Sequence, residues 1–325
     1  MGGDCLNVGC VPSKALLRSA RFYADLRHAA RFTGSAPVPL EVDFAAVMER
    51  MRRLRAHISH HDSAQRFRDL GIDVFLGEAA FADRRTVNVS GVKLKFQKAV
   101  IATGARAARP LIEGLAEAGY LTNETVFNLT ERPRRLLVIG GGPLGCELAQ
   151  AFARLGCEVI IASQEPYFLP GEERDAAEIL ADALRRDGID VRLNTEVTSV
   201  TSRGGQKLAR LVNDNQEATV AVDEILAGVG RAPNVEGLKL EAAGVEYDGE
   251  HGVRVNDYLQ TSNRRIYAAG DVALERKFTH MADATARIVI RNALFLGHKK
   301  LSSLTIPWCT YTDPEIAHVG VYVKE

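Results

Sequence analysis

The chain has 325 residues, of which 46% are hydrophobic, and its 41 basic and 41 acidic side chains leave no net charge. This length predicts two domains, and the balanced charge argues against nucleic acid or a membrane surface as a partner. No apolar run reaches the roughly 18 residues that span a bilayer, and the N-terminus lacks the basic and apolar segments of a secretion signal. An odd number of cysteines, five, then favours a reducing compartment, so we expect a cytoplasmic protein.

The stretch "GGDCLNVGCVPSK" places Cys5 and Cys10 five positions apart. In a regular helix such residues lie roughly 8 to 9 Å apart, beyond the Cα separation of about 4.4 to 6.8 Å that a disulfide needs. The pair can close only if Asn7-Val8-Gly9 breaks the helix, which Gly9 permits. A helix that starts near Pro12 would place Cys10 just before polarised backbone N–H groups, which lower a thiol pKa. These features favour a redox-active pair over a structural disulfide or half of a metal site.

No metal site is expected from the rest of the sequence. Zinc sites usually join a close cysteine pair to a second pair of ligands, and Cys146, Cys157 and Cys309 have no such neighbours, so we interpret them as packing residues. A basic segment carries His57, His60 and His61, which we interpret as a solvated helix face.

The first part of the chain reads as helices over residues 14–31 and 41–70, followed by antiparallel strands between 72 and 97 in "IDVFLG", "TVNVSG" and "VKLKF". The stretch "KAVIATGARAARP" predicts a buried strand that ends in the turn Thr103-Gly104. A linker-like "TERPRR" closes this part near residue 133.

A strand, a glycine turn, a helix and a second strand follow in "RRLLVIGGGPLGCELAQAFARLGCEVIIAS". Gly140, Gly142 and Gly145 form GxGxxG directly after the apolar strand, and Gly156 fits the C′ position of the helix. In this context the motif indicates a dinucleotide diphosphate at the helix N-terminus. We expect a helix over 172–187, strands between 189 and 221, and a buried strand in "EILAGVG".

The third part contains "TSNRRIYAAGDVA" and a predicted helix over 279–297. A strand that ends at Gly270-Asp271 places a carboxylate at the carboxyl edge of a sheet, where doubly wound folds bind ligands. Taken alone, Asp271 is better explained as the cap of the next helix.

These stretches occur in this order in one family, and the chain resembles the flavin-dependent pyridine nucleotide–disulfide oxidoreductases. "GGDCLNVGCVPSK" is similar to the redox-active signature of that family almost letter for letter. "VIATGA", "GGGPLGCELA", "GVGRAPN", "TSNRRIYAAGDVA" and "YTDPEIAHVG" are similar to its other landmarks. Within the family, "TNETVFNLTERPRR", "ELAQAFARLG" and "IPWCTYTDPEIAHVG" look most like mercuric reductases.

The resemblance implies roles for individual residues. Cys5 would attack substrate, Cys10 would face the flavin, and Lys14 would approach the flavin and pair with Glu147. FAD would contact Lys14, Thr103, Gly104, Gly270 and Asp271. NAD(P)H would contact Gly140, Gly142, Gly145, Ser163, Gln164 and Gly230. Electrons would pass from the nicotinamide through flavin to the disulfide, and then to substrate.

The implied fold class is α/β, with two Rossmann-like three-layer domains. The predicted boundaries are an FAD-binding domain over residues 1–132 and 255–300, an NAD(P)-binding domain over 133–254, and the start of an interface domain over 301–325. Family members carry a glycine-rich FAD strand before the redox cysteines and a complete dimerisation domain after them. We expect both to be largely missing here, so that residues 1–325 alone bind little FAD and are inactive, whereas the full-length protein is a homodimer.

Three questions stay open at this point. The substrate is Hg(II) if the chain is a mercuric reductase, or a disulfide such as lipoamide if it is a dihydrolipoamide dehydrogenase. In a different class, the chain is a non-catalytic nucleotide-binding fragment. Ser163-Gln164, after the strand "EVIIAS", shows neither the acid typical of NAD-binding members nor the arginine typical of NADP-binding ones. Because no carboxylate there repels a 2′-phosphate, the sequence favours NADPH.

Overall fold

The computed structural model describes residues 1–34, 41–213 and 216–322 as a mixed α/β fold. The helices are α1 (Gly3–Asn7), α2 (Cys10–His28), α3 (Ala30–Thr33), α4 (Phe44–Ser59), α5 (Ala64–Asp69), α6 (Leu115–Ala118), α7 (Pro143–Arg154), α8 (Arg174–Arg186), α9 (Leu240–Ala243) and α10 (Thr279–Leu294). The strands are β1 (Ala79–Asp83), β2 (Thr86–Val89), β3 (Val92–Lys95), β4 (Ala99–Ile101), β5 (Ala105–Ala107), β6 (Arg135–Ile139), β7 (Glu158–Ala162), β8 (Asp190–Arg192), β9 (Thr195–Arg203), β10 (Gln206–Asn213), β11 (Gln216–Val222), β12 (Glu224–Ala227), β13 (Arg231–Pro233), β14 (Tyr247–Asp248), β15 (Gly252–Val253), β16 (Ile266–Ala268), β17 (Pro307–Thr310) and β18 (Ile316–Val319).

The chain divides into two compact units. Unit 1 consists of Asp62–Arg106 and Gly230–Trp308 together with Met1. Unit 2 consists of Gly2–His61, Ala107–Val229 and Cys309–Glu325. The domain boundaries given by the family resemblance stay a prediction.

Unit 2 is built on a parallel sheet with the strand order β12-β6-β7-β8. Leu136, Leu137 and Val138 of β6 are fully buried, as an apolar run in a central parallel strand requires. The helix α7 connects β6 to β7 and ends as predicted. Gly156 has a φ of +94°, and the Cys157 N–H donates to the Phe152 carbonyl at 3.0 Å, which closes a Schellman motif.

The helix α2 packs against α4 and α7 within unit 2. Its fully buried Leu16 joins a cluster that also contains Phe44 of α4 and Phe152 of α7. The rings of Phe44 and Phe152 lie 5.9 Å apart. Apolar side chains of α2 thus pack the N-terminal segment against the rest of unit 2, which contains the parallel sheet.

Unit 1 contains the antiparallel sheet β1-β2-β3 and the parallel pair β4 and β16. Two apolar clusters form its interior. One surrounds Ile101 and Ile266, and the other lies against α10 around Met281 and Ile288. None of the described helices is both long and apolar enough to cross a membrane.

The two predicted N-terminal helices have different limits in the structure. The first was expected at 14–31 but α2 already begins at Cys10, because Pro12 occupies the first turn, where no backbone N–H has an intrahelical partner. The expected helix over 41–70 is interrupted. The side chain of Ser63 accepts from the Arg66 N–H at 3.2 Å and starts a separate helix, α5.

The predicted strand in "IDVFLG" is wrong. Residues 72–77 lie outside every strand, and Ile72, Phe75 and Leu76 are exposed. Alternating apolar residues form a strand only where a neighbour pairs with the backbone, and no described strand pairs with this segment. The strand expected in "KAVIATGARAARP" forms as β4, which pairs with β16, but Ile101 is buried whereas Val100 is 45% exposed.

We expect Phe152→Ala to lower the free energy of unfolding by about 3 to 5 kcal/mol, because it opens a cavity where α2, α4 and α7 meet. Ile179→Ala, on the exposed side of α8, is the matched control, since Ile179 is 59% exposed. Urea unfolding followed by circular dichroism measures both. Equal effects of the two substitutions would contradict this description of the core.

Candidate functional site

The two cysteines of the signature lie on different helices. Cys5 is half-buried in α1, and Cys10 is exposed as the first residue of α2. Val8 and Gly9 separate the helices, so the predicted break is confirmed. A Cβ added to Gly9 would lie 2.8 Å from the Asp4 carbonyl oxygen, which means that only glycine fits this turn. Cys10 therefore stands inside the first turn of the helix, where backbone N–H groups favour an anion.

One turn after Cys10, Lys14 forms a buried ion pair with Glu147 of α7. Lys14 Nζ lies 2.7 Å from Glu147 Oε2, and the side chains are 36% and 4% exposed. The other carboxylate oxygen of Glu147 accepts from the Tyr311 backbone N–H at 2.9 Å. Lys14 Nζ also lies 4.6 Å from the centre of the Tyr311 ring, within the range of a cation–π interaction.

The segment that carries Tyr311 is fixed to α2 and α7. The Asp313 backbone donates to Gln150 Oε1 at 2.7 Å and accepts from Gln150 Nε2 at 2.8 Å. The Asp313 carboxylate binds Arg21 at 2.7 Å and Arg154 at 2.9 Å. The hydrogen bond from Arg21 is the largest cause that lowers the pKa of Asp313 below its usual value. Sequence analysis missed this network, because its members lie far apart in the chain.

The remaining cysteines have environments unlike that of Cys10. Burial raises the pKa of the Cys157 thiol to about 12, and burial followed by the charge of Glu147 raises the pKa of Cys146. Cys309 is half-buried, and burial with the nearby Glu315 raises its pKa. All three are disfavoured as thiolates, which fits their interpretation as packing residues.

The three motif glycines have different surroundings, and close contacts restrict only Gly140 and Gly145. Gly140 has a φ of +104°, and a Cβ there would lie 2.5 Å from the Gly228 carbonyl oxygen. A Cβ on Gly145 would lie 2.3 Å from the Gly140 carbonyl oxygen and 3.3 Å from Val138, so this glycine allows α7 to approach β6. Gly142 caps α7 without a side-chain hydrogen bond and has nothing within 4 Å of its added Cβ. The open space at Gly142 suits a diphosphate at the helix N-terminus.

A cleft of about 590 Å³ opens beside this turn. It is lined by Gly140, Gly142 and the predicted Ser163 and Gln164. Ser163 is buried, and its hydroxyl accepts from the Glu165 N–H at 3.4 Å. Gly228 and Val229 also line the cleft, whereas Gly230 is not among its lining residues. The buried strand followed by glycine in "EILAGVG" was the signal that could have identified Gly228.

The charged side chains among the described lining residues of this cleft are Glu165 and Glu196. Neither was assigned from the sequence. Among the described residues that line the cleft there is no lysine or arginine. The described lining therefore offers no cation to the 2′-phosphate that distinguishes NADPH from NADH.

The predicted FAD residues Thr103 and Gly104 form a turn that Asn234 fixes within unit 1. Thr103 Oγ1 donates to the Asn234 carbonyl at 2.7 Å, and Asn234 Nδ2 donates to the Thr103 carbonyl at 3.0 Å. The Asn234 N–H donates to the Gly104 carbonyl at 2.9 Å.

Gly270 and Asp271 follow β16 in a short 3₁₀ turn. Phe278 is the N-cap of the next helix, α10, so Asp271 does not cap it and the capping interpretation is wrong. Asp271 Oδ2 lies 3.4 Å from Arg231 Nε. Within the described part of the chain, histidine, cysteine and acidic side chains form no group of three or more that could hold a metal ion.

Comparison with known proteins decides the family. The profile of the pyridine nucleotide-disulphide oxidoreductases matches residues 1–287. The chain belongs to this family. The fold agrees with this, since the HOCl-induced flavoprotein disulfide reductase RclA from Escherichia coli superimposes with a TM-score of 0.88 at 29% identity, over 100% of this chain and 70% of that chain.

Two kinds of relative are similar over nearly the whole chain. The mercuric reductase of Staphylococcus aureus is 36% identical over 321 residues, which cover 99% of this chain and 58% of the relative. The dihydrolipoyl dehydrogenase of Thermus scotoductus is 33% identical over 336 residues, which cover 100% of this chain and 70% of the relative. The chain thus spans about three fifths of the length of the curated mercuric reductases that it matches.

We expect Lys14→Met to destabilise the protein by about 3 kcal/mol, because it leaves the buried Glu147 carboxylate without its cation. Glu147→Gln should cost less, since Lys14 is partly exposed and its ammonium group can turn to water. Urea unfolding of both variants measures the difference. A larger loss of stability in Glu147→Gln than in Lys14→Met would contradict this prediction, because it would mean that the Glu147 carboxylate needs its partner less than the Lys14 ammonium group does.

Proposed function

We propose that this protein is an FAD-dependent NAD(P)H:disulfide oxidoreductase in which Cys5 and Cys10 are the redox-active pair. The observation that carries the proposal is the position of Cys10 at the first residue of α2, one turn before the Lys14–Glu147 ion pair. The helix N-terminus favours a thiolate, and family membership supports the flavin and the pyridine nucleotide.

The residues of the chain fit the two cofactors in separate places. Gly142 and the first turn of α7 suit the nucleotide diphosphate, since Gly142 leaves open space at a helix start that no side chain caps. Gly140 allows the preceding turn to pass close to Gly228. In unit 1 the Thr103-Gly104 turn and Asp271 are the groups proposed to bind FAD. When bound, the nicotinamide supplies a hydride and the flavin relays its two electrons.

The thiols perform the remaining chemistry. The Cys5–Cys10 disulfide takes up two electrons and two protons to give two thiols. Cys10 at the helix start is the better site for the thiolate that faces the flavin, and Cys5, in the short helix α1, is the thiol proposed to attack substrate. When the dithiol reduces a substrate, the two electrons pass to the substrate, the two thiol protons are released and the disulfide re-forms.

Hg(II) is the substrate that we propose, with reduction to Hg(0). Mercuric reductases are similar to this chain at 33–36% identity, and soft thiolates bind soft metal ions. A disulfide such as lipoamide is the second candidate, since dihydrolipoyl dehydrogenases are 30–33% identical. We also propose that the full-length protein acts as a homodimer.

The nucleotide preference follows from the charge of the cleft. The lining carries Glu165 and Glu196 and, among its described residues, no cation. Carboxylates accept hydrogen bonds from a ribose 2′-OH and repel a 2′-phosphate. We therefore propose NADH as the preferred donor, in place of the NADPH that the sequence favoured.

The substrate proposal is tested by turnover of the full-length, FAD-loaded protein with Hg(II) and with lipoamide. We expect faster oxidation of the nicotinamide with Hg(II), and a loss of roughly a thousandfold or more in Cys5→Ser and Cys10→Ser. Cys157→Ala, a buried thiol outside the site, is the control. Faster lipoamide turnover at equal concentration supports the second candidate, and full activity in both serine variants rules out the thiol mechanism.

The two thiols should differ in their spectra. On two-electron reduction the wild type should show a long-wavelength band from the thiolate and flavin. Cys10→Ser should abolish this band, whereas Cys5→Ser should show it even without reductant. Identical spectra of the two variants would reverse or remove the assigned roles.

For the nucleotide, we expect a Kd for NADH at least about tenfold lower than for NADPH, which corresponds to about 1.4 kcal/mol. Glu165→Gln should narrow this ratio by removing one repulsive charge. Glu158→Gln, at the opposite end of β7 and exposed, is the matched control. Isothermal titration calorimetry gives both constants, and tighter binding of NADPH by the wild type would refute the assignment.

A further inference from the structure

We infer that Asn123 and Arg55 are positioning residues that fix the loop between Cys5 and Cys10 and so set the equilibrium between its dithiol and disulfide forms. The inference rests on the proposed function, in which these two thiols are the redox pair. It concerns two side chains to which the sequence analysis assigned no role.

Each residue holds one carbonyl of the loop. Arg55 Nη1, from α4, donates to the Asn7 carbonyl at 3.0 Å. Asn123 Nδ2 donates to the Val8 carbonyl at 3.2 Å. These carbonyls lie where α1 ends and α2 has not yet begun, so side chains replace the helical hydrogen bonds there.

The support of Asn123 is rigid. Asn123 is buried, with only 5% of its surface exposed. Two residues earlier, Leu121 forms two hydrogen bonds with β12. The Leu121 N–H donates to the Ile225 carbonyl at 2.7 Å, and the Ala227 N–H donates to the Leu121 carbonyl at 2.8 Å. The loop between the thiols is therefore tied to the central parallel sheet of unit 2.

The other contacts of the loop are local. The Val8 N–H donates to the Asp4 carbonyl at 2.9 Å, and Asn7 Nδ2 donates to the Gly3 carbonyl at 2.8 Å. These bonds stay inside residues 3–8 and move with the loop. Arg55 and Asn123, by contrast, tie the loop carbonyls to other parts of unit 2.

A fixed loop changes the redox equilibrium for an entropic reason. Closing the disulfide forms one S–S bond, releases two protons and passes two electrons to the oxidant. It also requires both Cα atoms to adopt a narrow separation. Where the loop already holds that geometry, little conformational entropy is lost on closing. Freeing the Val8 carbonyl should therefore disfavour the disulfide relative to the dithiol.

The test equilibrates the full-length, FAD-loaded protein in buffers of reduced and oxidised glutathione, which is the oxidant in this experiment. Alkylation and mass spectrometry then give the oxidised fraction of the peptide with Cys5 and Cys10. We expect Asn123→Ala to lower the equilibrium constant for disulfide formation by about tenfold. This corresponds to a reduction potential of the Cys5–Cys10 pair that is about 30 mV less negative. Arg55→Ala should shift it in the same direction, and Arg55→Lys should restore part of the loss.

Asn128→Ala is the matched control, because Asn128 is an exposed asparagine in the same segment. Asn123→Asp is a second variant of nearly the same shape, whose ionised carboxylate cannot donate to the Val8 carbonyl. A thermal melt of each variant establishes that it is folded. If Asn123→Ala does not fold, Asn123→Asp and Arg55→Ala give the result.

Potentials equal to that of the wild type in the folded Asn123 and Arg55 variants would overturn the inference while leaving the proposed function intact. An equal shift in Asn128→Ala would also overturn it, since the effect would then not depend on the loop. Absence of any Cys5–Cys10 disulfide in the oxidised wild type would instead contradict the proposed function.

Discussion

The buried carboxylate of Glu147 is the constraint on which the candidate site depends. A carboxylate that is 4% exposed must be compensated, and three segments supply the compensation. Lys14 comes from the helix that carries Cys10, Tyr311 donates its backbone N–H from the last segment of the chain, and Glu147 itself lies on the helix that follows the glycine turn. Burying one charge thus fixes α2, α7 and the Tyr311 segment in one arrangement.

The helix α7 is the element common to both parts of the site in unit 2. Its N-cap, Gly142, lines the cleft beside the glycine turn. Glu147 follows five residues later, a rise of about 7.5 Å along the helix axis. Near its C-terminal end, Gln150 and Arg154 bind the segment around Asp313. A single helix therefore sets the spacing between the glycine turn and the Lys14–Glu147 pair. Its close packing on β6 is possible because Gly145 has no side chain.

Features that depend on residues close together in the sequence could be predicted. The helix break at Gly9, the roles of the motif glycines and the Gly156 cap follow from residues close together in sequence, where steric rules apply directly. The strand predicted in "IDVFLG" failed because a strand depends on a pairing partner, which alternation alone does not report. The contacts of Tyr311, Gln150 and Asn123 join residues more than a hundred positions apart, so no local pattern could predict them. Glu165 was not assigned from the sequence, and only its place in the lining of the cleft indicates a contact with the nucleotide.

We propose that electrons from the nicotinamide reach Cys5 and Cys10 and no other cysteines. The most direct measurement is an anaerobic titration of the full-length, FAD-loaded protein with NADH, followed by alkylation and mass spectrometry of every cysteine. The account predicts that Cys5 and Cys10 become alkylated together as NADH is added, while the labelling of Cys146 and Cys157 does not change. Unchanged labelling of Cys5 and Cys10 at excess NADH, in protein shown to contain flavin, would contradict it.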